Sequence, residues 1–524
     1  MAKAFDQLEL KEKIGQLFMC GFNGLEPTEG IMTLIRDYGL GGVIYFRRNL
    51  KDASQVRELS EELQAAANNP LFIAIDQEGG MVVRLEEGVT VMPGAMAQGA
   101  AGNAALTREA AKWSGAELRG IGINMNFAPC LDVNNNPGNP VIGVRSFGED
   151  PARVAELGTQ AIEGYREGGI VAVAKHFPGH GDTASDSHHE LPTVPHGVER
   201  LNEVELLPFR KAIEQQVGAI MTAHVVFPAF EPSGVPATLS SRILTGLLRQ
   251  QLGFEGVIVT DCLEMNAISE TIGVARGAVE AIKAGADLIL VSHRIDRQTA
   301  ALEAVHEAVM TGEISESRIE EAARRIWELK QASGLFSSEV PDTNAARAEA
   351  VQRLLCESAV TVVKGGDRLP LSKDGKTLVV WTEARAGTEV IEVIRQDWTL
   401  GSALNEFGYD VAEVRVGIDP TAEEVNDVRS ALGGSRTVVF ASYDAGFSAG
   451  QQSLIRELAA GDDYLFIWVA LRTPYDLLVA PEAEVYLCTY EDKPAMISAL
   501  AGVLAGELPV VAKQPVTIGQ YARA

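Results

Sequence analysis

No stretch of this sequence is long and apolar enough to span a bilayer as a helix; Leu71 to Ile75 is typical of its short apolar runs, so no membrane partner is expected. Basic residues are scarce, 45 Lys and Arg against 71 Asp and Glu, which leaves a net charge of −26 at pH 7 with neutral histidines. A surface that acidic repels phosphate backbones, so nucleic acid is not an expected partner. Cysteines are few, odd in number and scattered (Cys20, Cys130, Cys262, Cys356, Cys488). That pattern suits reduced thiols in a cytoplasm, not a disulfide framework. The N-terminal stretch MAKAFDQLELKEKIGQLFMCGF has no basic segment followed by an apolar run and a cleavage site, so no secretory leader is read there. Gly79 and Gly80 lack the spacing of a dinucleotide or phosphate-binding loop. There is no low-complexity tract and no short repeat.

What is present is a globular mix, 46% hydrophobic and 22% charged, over 524 residues, which suggests two domains of ordinary core size. Up to about residue 335, short β-branched runs alternate with amphipathic stretches. The runs at 41–46, 71–76, 123–129, 171–176, 219–224, 256–261 and 287–292 read as buried parallel strands. Between them, Asp150 and Pro151 open one helix, and Ser240 or Ser241 opens another that Gly253 closes. Seven strand–helix units predict a (β/α)8 TIM-like barrel over 1–335, with an open doubly wound sheet as the rival. A Ser, Pro, Asp and Asn-containing connector over 336–355 leads into a second alternating region. Its runs at 359–365, 377–383, 436–444, 464–471 and 483–490 predict a smaller α/β/α sandwich over 356–524.

Four of the eight histidines crowd into KHFPGHGDTASDSHH, a glycine-containing loop that leaves a strand at Lys175 and His176. Three readings compete for it: a solvated polar loop, a metal site, and acid/base chemistry. Against a metal, His188 and His189 are adjacent and the helical HExxH spacing is missing. For acid/base work, Asp186 and His188 stand two apart, so in an extended segment they face the same way, and a carboxylate partner orients an imidazole and raises its pKa. A second centre is Asp261, which ends the apolar run GVIVTD. It is either a helix cap or a carboxylate carried to the barrel mouth. Asp76, Asp132, Lys175, His176 and His224 end other strands. Their recurrence around one ring favours a shared pocket rich in donors and acceptors, as sugar hydroxyls require. A carboxylate opposite a protonatable group is also the arrangement that cleaves an acetal.

KHFPGHGDTASDSHHELPTV, with IDQEGGMVVRL, NFAPCLDVNNNP, VRSFGED and VIVTDCLEM, strongly resembles glycoside hydrolase family 3, in particular its β-N-acetylglucosaminidase branch. The resemblance covers the whole first domain, with the motifs in matching order; the second domain resembles the sandwich of two-domain members without so specific a motif. It implies that Asp261 is the nucleophile of a covalent, retaining mechanism, that His188 is the acid/base and Asp186 its dyad partner. It further implies that Asp76, Arg84, Arg145, Lys175 and His176 contact the sugar, with Asp132 and His224 in the same binding set. The implied substrate is a small carbohydrate with a terminal non-reducing β-linked N-acetylglucosamine, from peptidoglycan or chitin, and the reaction calls for no metal and no cofactor. A neutral imidazole repels an incoming anion less than a carboxylate would, so a phosphorylase on the same scaffold is the alternative. A metal-dependent hydrolase and a non-catalytic sugar-binding protein are further readings. A monomer or a homodimer is expected.

Overall fold

The computed structural model describes residues 3–187, 191–337, 341–385 and 397–523. Eight strands form the first sheet: β1 (Phe18–Cys20), β2 (Gly42–Tyr45), β3 (Phe72–Ile75), β4 (Met125–Asn126), β5 (Val171–Phe177), β6 (Ala219–Thr222), β7 (Val257–Val259) and β8 (Ile289–Val291). They pair in parallel and in chain order, and β1 returns to pair with β8. Val259 bridges to Leu288, and the Thr260 amide donates to the Leu288 carbonyl at 2.9 Å, which draws β7 and β8 together and nearly closes the ring. That pairing rules out the open sheet. Every strand residue is buried, as expected when helices cover one face and the barrel interior the other.

Local signals place the helices between the strands. The Asp150 carboxylate accepts from the amides of Ala152 and Arg153, with Pro151 at the first position of helix Pro151–Glu167. The segment Arg242–Gln251 is helical too, wound as a π-helix, and Gly253 follows it at φ +70°. The eighth strand, β1, is not among the seven runs read from sequence. It starts two residues after helix Leu10–Gln16 with only the apolar Leu17 between, so its apolar residues continue the helix pattern.

The second sheet holds β9 (Thr361–Lys364), β10 (Lys376–Glu383), β11 (Asp410–Gly417), β12 (Ser435–Ser442), β13 (Leu465–Ala470) and β14 (Val485–Cys488). Their order is β11-β10-β12-β13-β14-β9, parallel except for the β14–β9 pair. With its helices it forms the expected α/β/α sandwich. Strand β11 has no counterpart among the five sequence runs: it is an edge strand, half-buried along most of its length and interrupted by Glu413 and Arg415.

The two cores meet along one seam. Helix Ala345–Ala359 sets Ala348, Val351 and Leu355 against Met92 and Ala110 of the first domain, while its Cys356 and Ala359 enter the sandwich core. Met81, Val82 and Val144 of the first domain belong to that same sandwich core. Polar clasps flank the seam: Lys493 to Glu86 at 2.7 Å, Asn134 to the Tyr475 hydroxyl at 2.9 Å, and Thr517 to both oxygens of Glu149. Gly80 (φ +56°) allows the close approach, since a Cβ there would lie 2.5 Å from a Glu491 oxygen and 2.7 Å from the Gly94 Cα. The sandwich thus braces the segment between β3 and Arg84. Among the described residues, no helix is long and apolar enough to cross a membrane.

Candidate active site

The strands of the barrel deliver their polar residues to one end. Asp76 follows β3 directly, Lys175 and His176 lie near the end of β5, and Asp261 sits two residues past β7. Together with Arg84 and Arg145 they line a single cavity of about 430 Å³. The site thus gathers six of the residues singled out in the sequence at the C-terminal mouth of the barrel, where such folds work.

Buried charges on the cavity wall are paired. The Lys175 ammonium contacts Asp76 at 2.8 Å and Glu78 at 2.6 Å. Arg145 forms two hydrogen bonds with Glu78, at 3.0 and 2.8 Å, and donates to the Val141 carbonyl at 3.1 Å. Arg84 stands 3.6 Å from Asp76. Burial pushes the Glu78 carboxyl up, but Arg145 and Lys175 outweigh it and hold the group well below its ordinary value. Glu78 is a cavity-lining residue that the sequence reading passes over. Its signal was available, since it lies between Asp76 and Arg84 in the same short motif.

Two residues expected among the sugar contacts do not line the cavity. Asp132 is fully enclosed behind His176: it accepts from His176 Nδ1 at 2.7 Å, from the His180 amide at 2.6 Å and from the Cys130 thiol at 3.1 Å. Burial pushes its carboxyl up, yet His176 and His180 bring it down to about 2. It orients His176, whose Nε2 lies 3.5 Å from Arg145. His224, also fully enclosed, bonds Thr238 through Nδ1 and the Cys262 carbonyl through Nε2 at 3.0 Å. It therefore supports the turn that carries Asp261. Both misplacements have one cause: a strand end can aim a side chain into the mouth or between strand and helix, and residue order does not separate the two.

The histidine loop is pinned at its stem. His180 Nδ1 bonds Thr183, its Nε2 bonds Ser187, Asn139 donates to the His180 carbonyl at 2.9 Å, and His196 contacts Asp182. Gly181 is pressed so close to the Val133 carbonyl that a Cβ would lie 1.8 Å from it. Asp186 is half-buried beyond this stem. His188 lies outside the described residues.

Facing the charged wall is a more apolar one, with Ile44, Phe46, Met265 and Leu290. The Phe46 and His293 rings are 5.0 Å apart, and the Arg48 guanidinium lies 4.4 Å above Phe46. The sequence gives no hint of this wall, because its residues come from β2, β8 and the segment after β7. Asp261 lies at the cavity with its Oδ1 accepting from the Cys262 amide at 2.7 Å. Among the described residues, three groups have metal-ligating atoms close together. In two of them the donors engage each other or a cation: Cys130 and His176 with Asp132, and Asp182 with His196 beside the Glu205–Arg200 pair at 2.9 Å.

A near-closed (β/α)8 barrel with a strand-end aspartate facing a cavity lined by paired charges has the architecture of a glycoside hydrolase. The comparisons with known proteins agree. The glycosyl hydrolase family 3 N-terminal domain matches residues 9–329. A "Beta-hexosaminidase A" of Pseudoalteromonas piscicida is 34% identical over 557 aligned residues, covering 94% of this chain and 91% of that one. A "Beta-N-acetylglucosaminidase/beta-glucosidase" of Cellulomonas fimi is 28% identical over 96% of this chain and 93% of its own. The solved structure of a family 3 β-N-acetylglucosaminidase from Paenibacillus sp. str. FPU-7 superimposes with a TM-score of 0.95 at 51% identity, covering 98% of this chain and 99% of that one. The chain belongs to glycosyl hydrolase family 3 and is a glycoside hydrolase.

Proposed function

We propose that this protein is a retaining exo-β-N-acetylglucosaminidase that removes terminal non-reducing β-linked N-acetylglucosamine from peptidoglycan fragments or chitooligosaccharides. The observation that carries this reading is the placement of Asp261, two residues past the end of β7, on the same cavity as Asp76, Arg84, Arg145, Lys175 and His176. In the proposed cycle Asp261 attacks the anomeric carbon while His188, oriented by Asp186, protonates the leaving oxygen. The neutral imidazole then takes a proton from water, and that water cleaves the glycosyl ester. Asp76, Arg84, Arg145 and Lys175 present donors and acceptors to the sugar hydroxyls, and His176, oriented by Asp132, adds a ring nitrogen. The pinned stem of the loop supports delivery of His188 from a fixed base. The names of the relatives support the choice of sugar.

The same reading assigns the enzyme to the cytoplasm as a monomer or homodimer, supported by five free cysteines. Product analysis on chitobiose and on a muropeptide disaccharide, each with and without phosphate, tests it. Release of free N-acetylglucosamine with retained β-configuration, unaffected by phosphate, is expected. A sugar phosphate would instead establish the phosphorylase.

A further inference from the structure

We propose that Cys262, Glu264 and His293 form a site for a soft divalent transition metal, Zn²⁺ foremost, on the cavity wall beside Asp261, and that a metal held there excludes the sugar. One sulfur, one carboxylate oxygen and one ring nitrogen lie within 4.8 Å of one another, and all three residues line the catalytic cavity. This is the donor set that thiophilic, borderline-soft cations prefer.

The second observation is Glu264 itself. Its side chain is 4% exposed, and while Oε2 accepts from the His293 amide at 2.6 Å, Oε1 accepts no hydrogen bond among the described residues. The Arg297 guanidinium stands 3.9 Å from Oε1. A buried carboxylate oxygen without a donor is costly, and a divalent cation ligated by Glu264 would offset that cost.

The backbone holds the three ligands together. The segment after β7 carries Cys262 and Glu264, and the segment after β8 carries His293; the Leu263 amide donates to the Leu290 carbonyl at 3.0 Å, tying the two side by side. Tetrahedral Zn²⁺, with bonds of about 2.0–2.3 Å, brings donors to within about 3.3–3.8 Å of one another. The present spacing therefore requires a closure of at most about 1–1.5 Å. His293 is exposed, with its ring against Phe46, and Cys262 is partly exposed. The fourth position would face the cavity and take water. On binding, the Cys262 S–H bond breaks, a sulfur–metal bond forms and the proton passes to solvent; nothing is oxidised or reduced.

The full-length protein is titrated with Co²⁺ and followed by absorbance. A thiolate-to-cobalt charge-transfer band saturating at one equivalent is expected, absent in Cys262→Ser. In His293→Gln affinity should fall by at least about 10- to 100-fold, the loss that even an outer partner of a metal ligand causes. This readout does not depend on the reaction assigned above. In the second arm, which rests on that assignment, Zn²⁺ should raise KM for an aryl N-acetylglucosaminide without changing kcat, reversibly with EDTA, and Cys262→Ser should weaken the inhibition by the same factor as the binding. A cobalt band that survives Cys262→Ser overturns the site. So does Zn²⁺ inhibition that survives Cys262→Ser and disappears in His188→Ala, because the metal would then sit on the histidine loop. A band that depends on Cys262 in a protein that turns over no glycoside upholds the site and overturns the assigned reaction.

Discussion

Two pairs of buried carboxyl groups, Glu78 and Asp132 in the barrel and Asp476 and Glu491 in the sandwich, are treated in opposite ways. At the barrel mouth Glu78 touches Arg145 and Lys175, and behind the mouth Asp132 touches His176, so these acids titrate below their ordinary range despite burial. In the sandwich, Asp476 is held by the Ser442 hydroxyl and the Gly446 amide, with Asp444 nearby, and burial pushes it up to about 7. Glu491, at the seam, accepts from the Gly94 amide, while its neighbour Lys493 is paired with Glu86; burial pushes Glu491 up to about 7 as well. Neutral donors lower a buried carboxyl less than a cation in contact does. Glu78 and Asp132 are therefore held towards the ionised form by their partners, whereas burial holds Asp476 and Glu491 towards the neutral form.

The strongest blow to the mouth is at its reacting carboxylate. Asp261→Asn should lower kcat by on the order of 10⁴-fold or more, the scale on which losing a nucleophile acts in other covalent enzymes, with binding of N-acetylglucosamine kept. Steady-state kinetics and product-binding calorimetry check both halves. Next is Glu78→Gln, which leaves Arg145 and Lys175 undercompensated in a buried place. Stability should fall by about 3–5 kcal/mol, and kcat/KM by about 10² through misplaced contacts; denaturant unfolding and kinetics measure these.

Smaller effects sharpen the contrast through pH. Asp132 has a folded pKa of about 2 against an ordinary 3.8, so it stabilises the fold above pH 4 and that contribution is lost as pH falls through 2. The melting temperature of Asp132→Asn should therefore fall less steeply over that acid window than that of the parent. Glu491 has the opposite sign. Its folded pKa of about 7 exceeds the ordinary 4.5, so its contribution is complete below pH 4.5 and is lost as pH rises through 7. Glu491→Gln should melt a few degrees higher than the parent at pH 8, by no more than small-domain scaling allows, and within error of it at pH 4. Equal shifts at both pH values would erase the contrast between the domains.

The barrel was legible because buried parallel strands announce themselves as β-branched runs, and the motif residues Asp76, Arg84, Arg145, Lys175, His176 and Asp261 do share one cavity. What escaped reading depends on three-dimensional direction. The strand β1 hides behind a helix of the same apolar spacing, and β11 is a half-exposed edge. Asp132 and His224 point behind the mouth, where sequence order places them no differently from Lys175. Glu78 was overlooked because one carboxylate in DQEGG looks like another until its two cations are in place. The wall of Ile44, Phe46, Leu290 and His293 joins segments nearly 250 positions apart (residues 44–46 and 290–293), and no local pattern links them.

The central claim is that Asp261 becomes ester-linked to the sugar. Incubation of the full-length enzyme with a mechanism-based fluorosugar, followed by proteolysis and mass spectrometry, tests it directly. One sugar per chain on the peptide that contains Asp261, with activity lost in step, is the predicted result; a sugar on any other residue, or complete inactivation with Asp261 unlabelled, would contradict it.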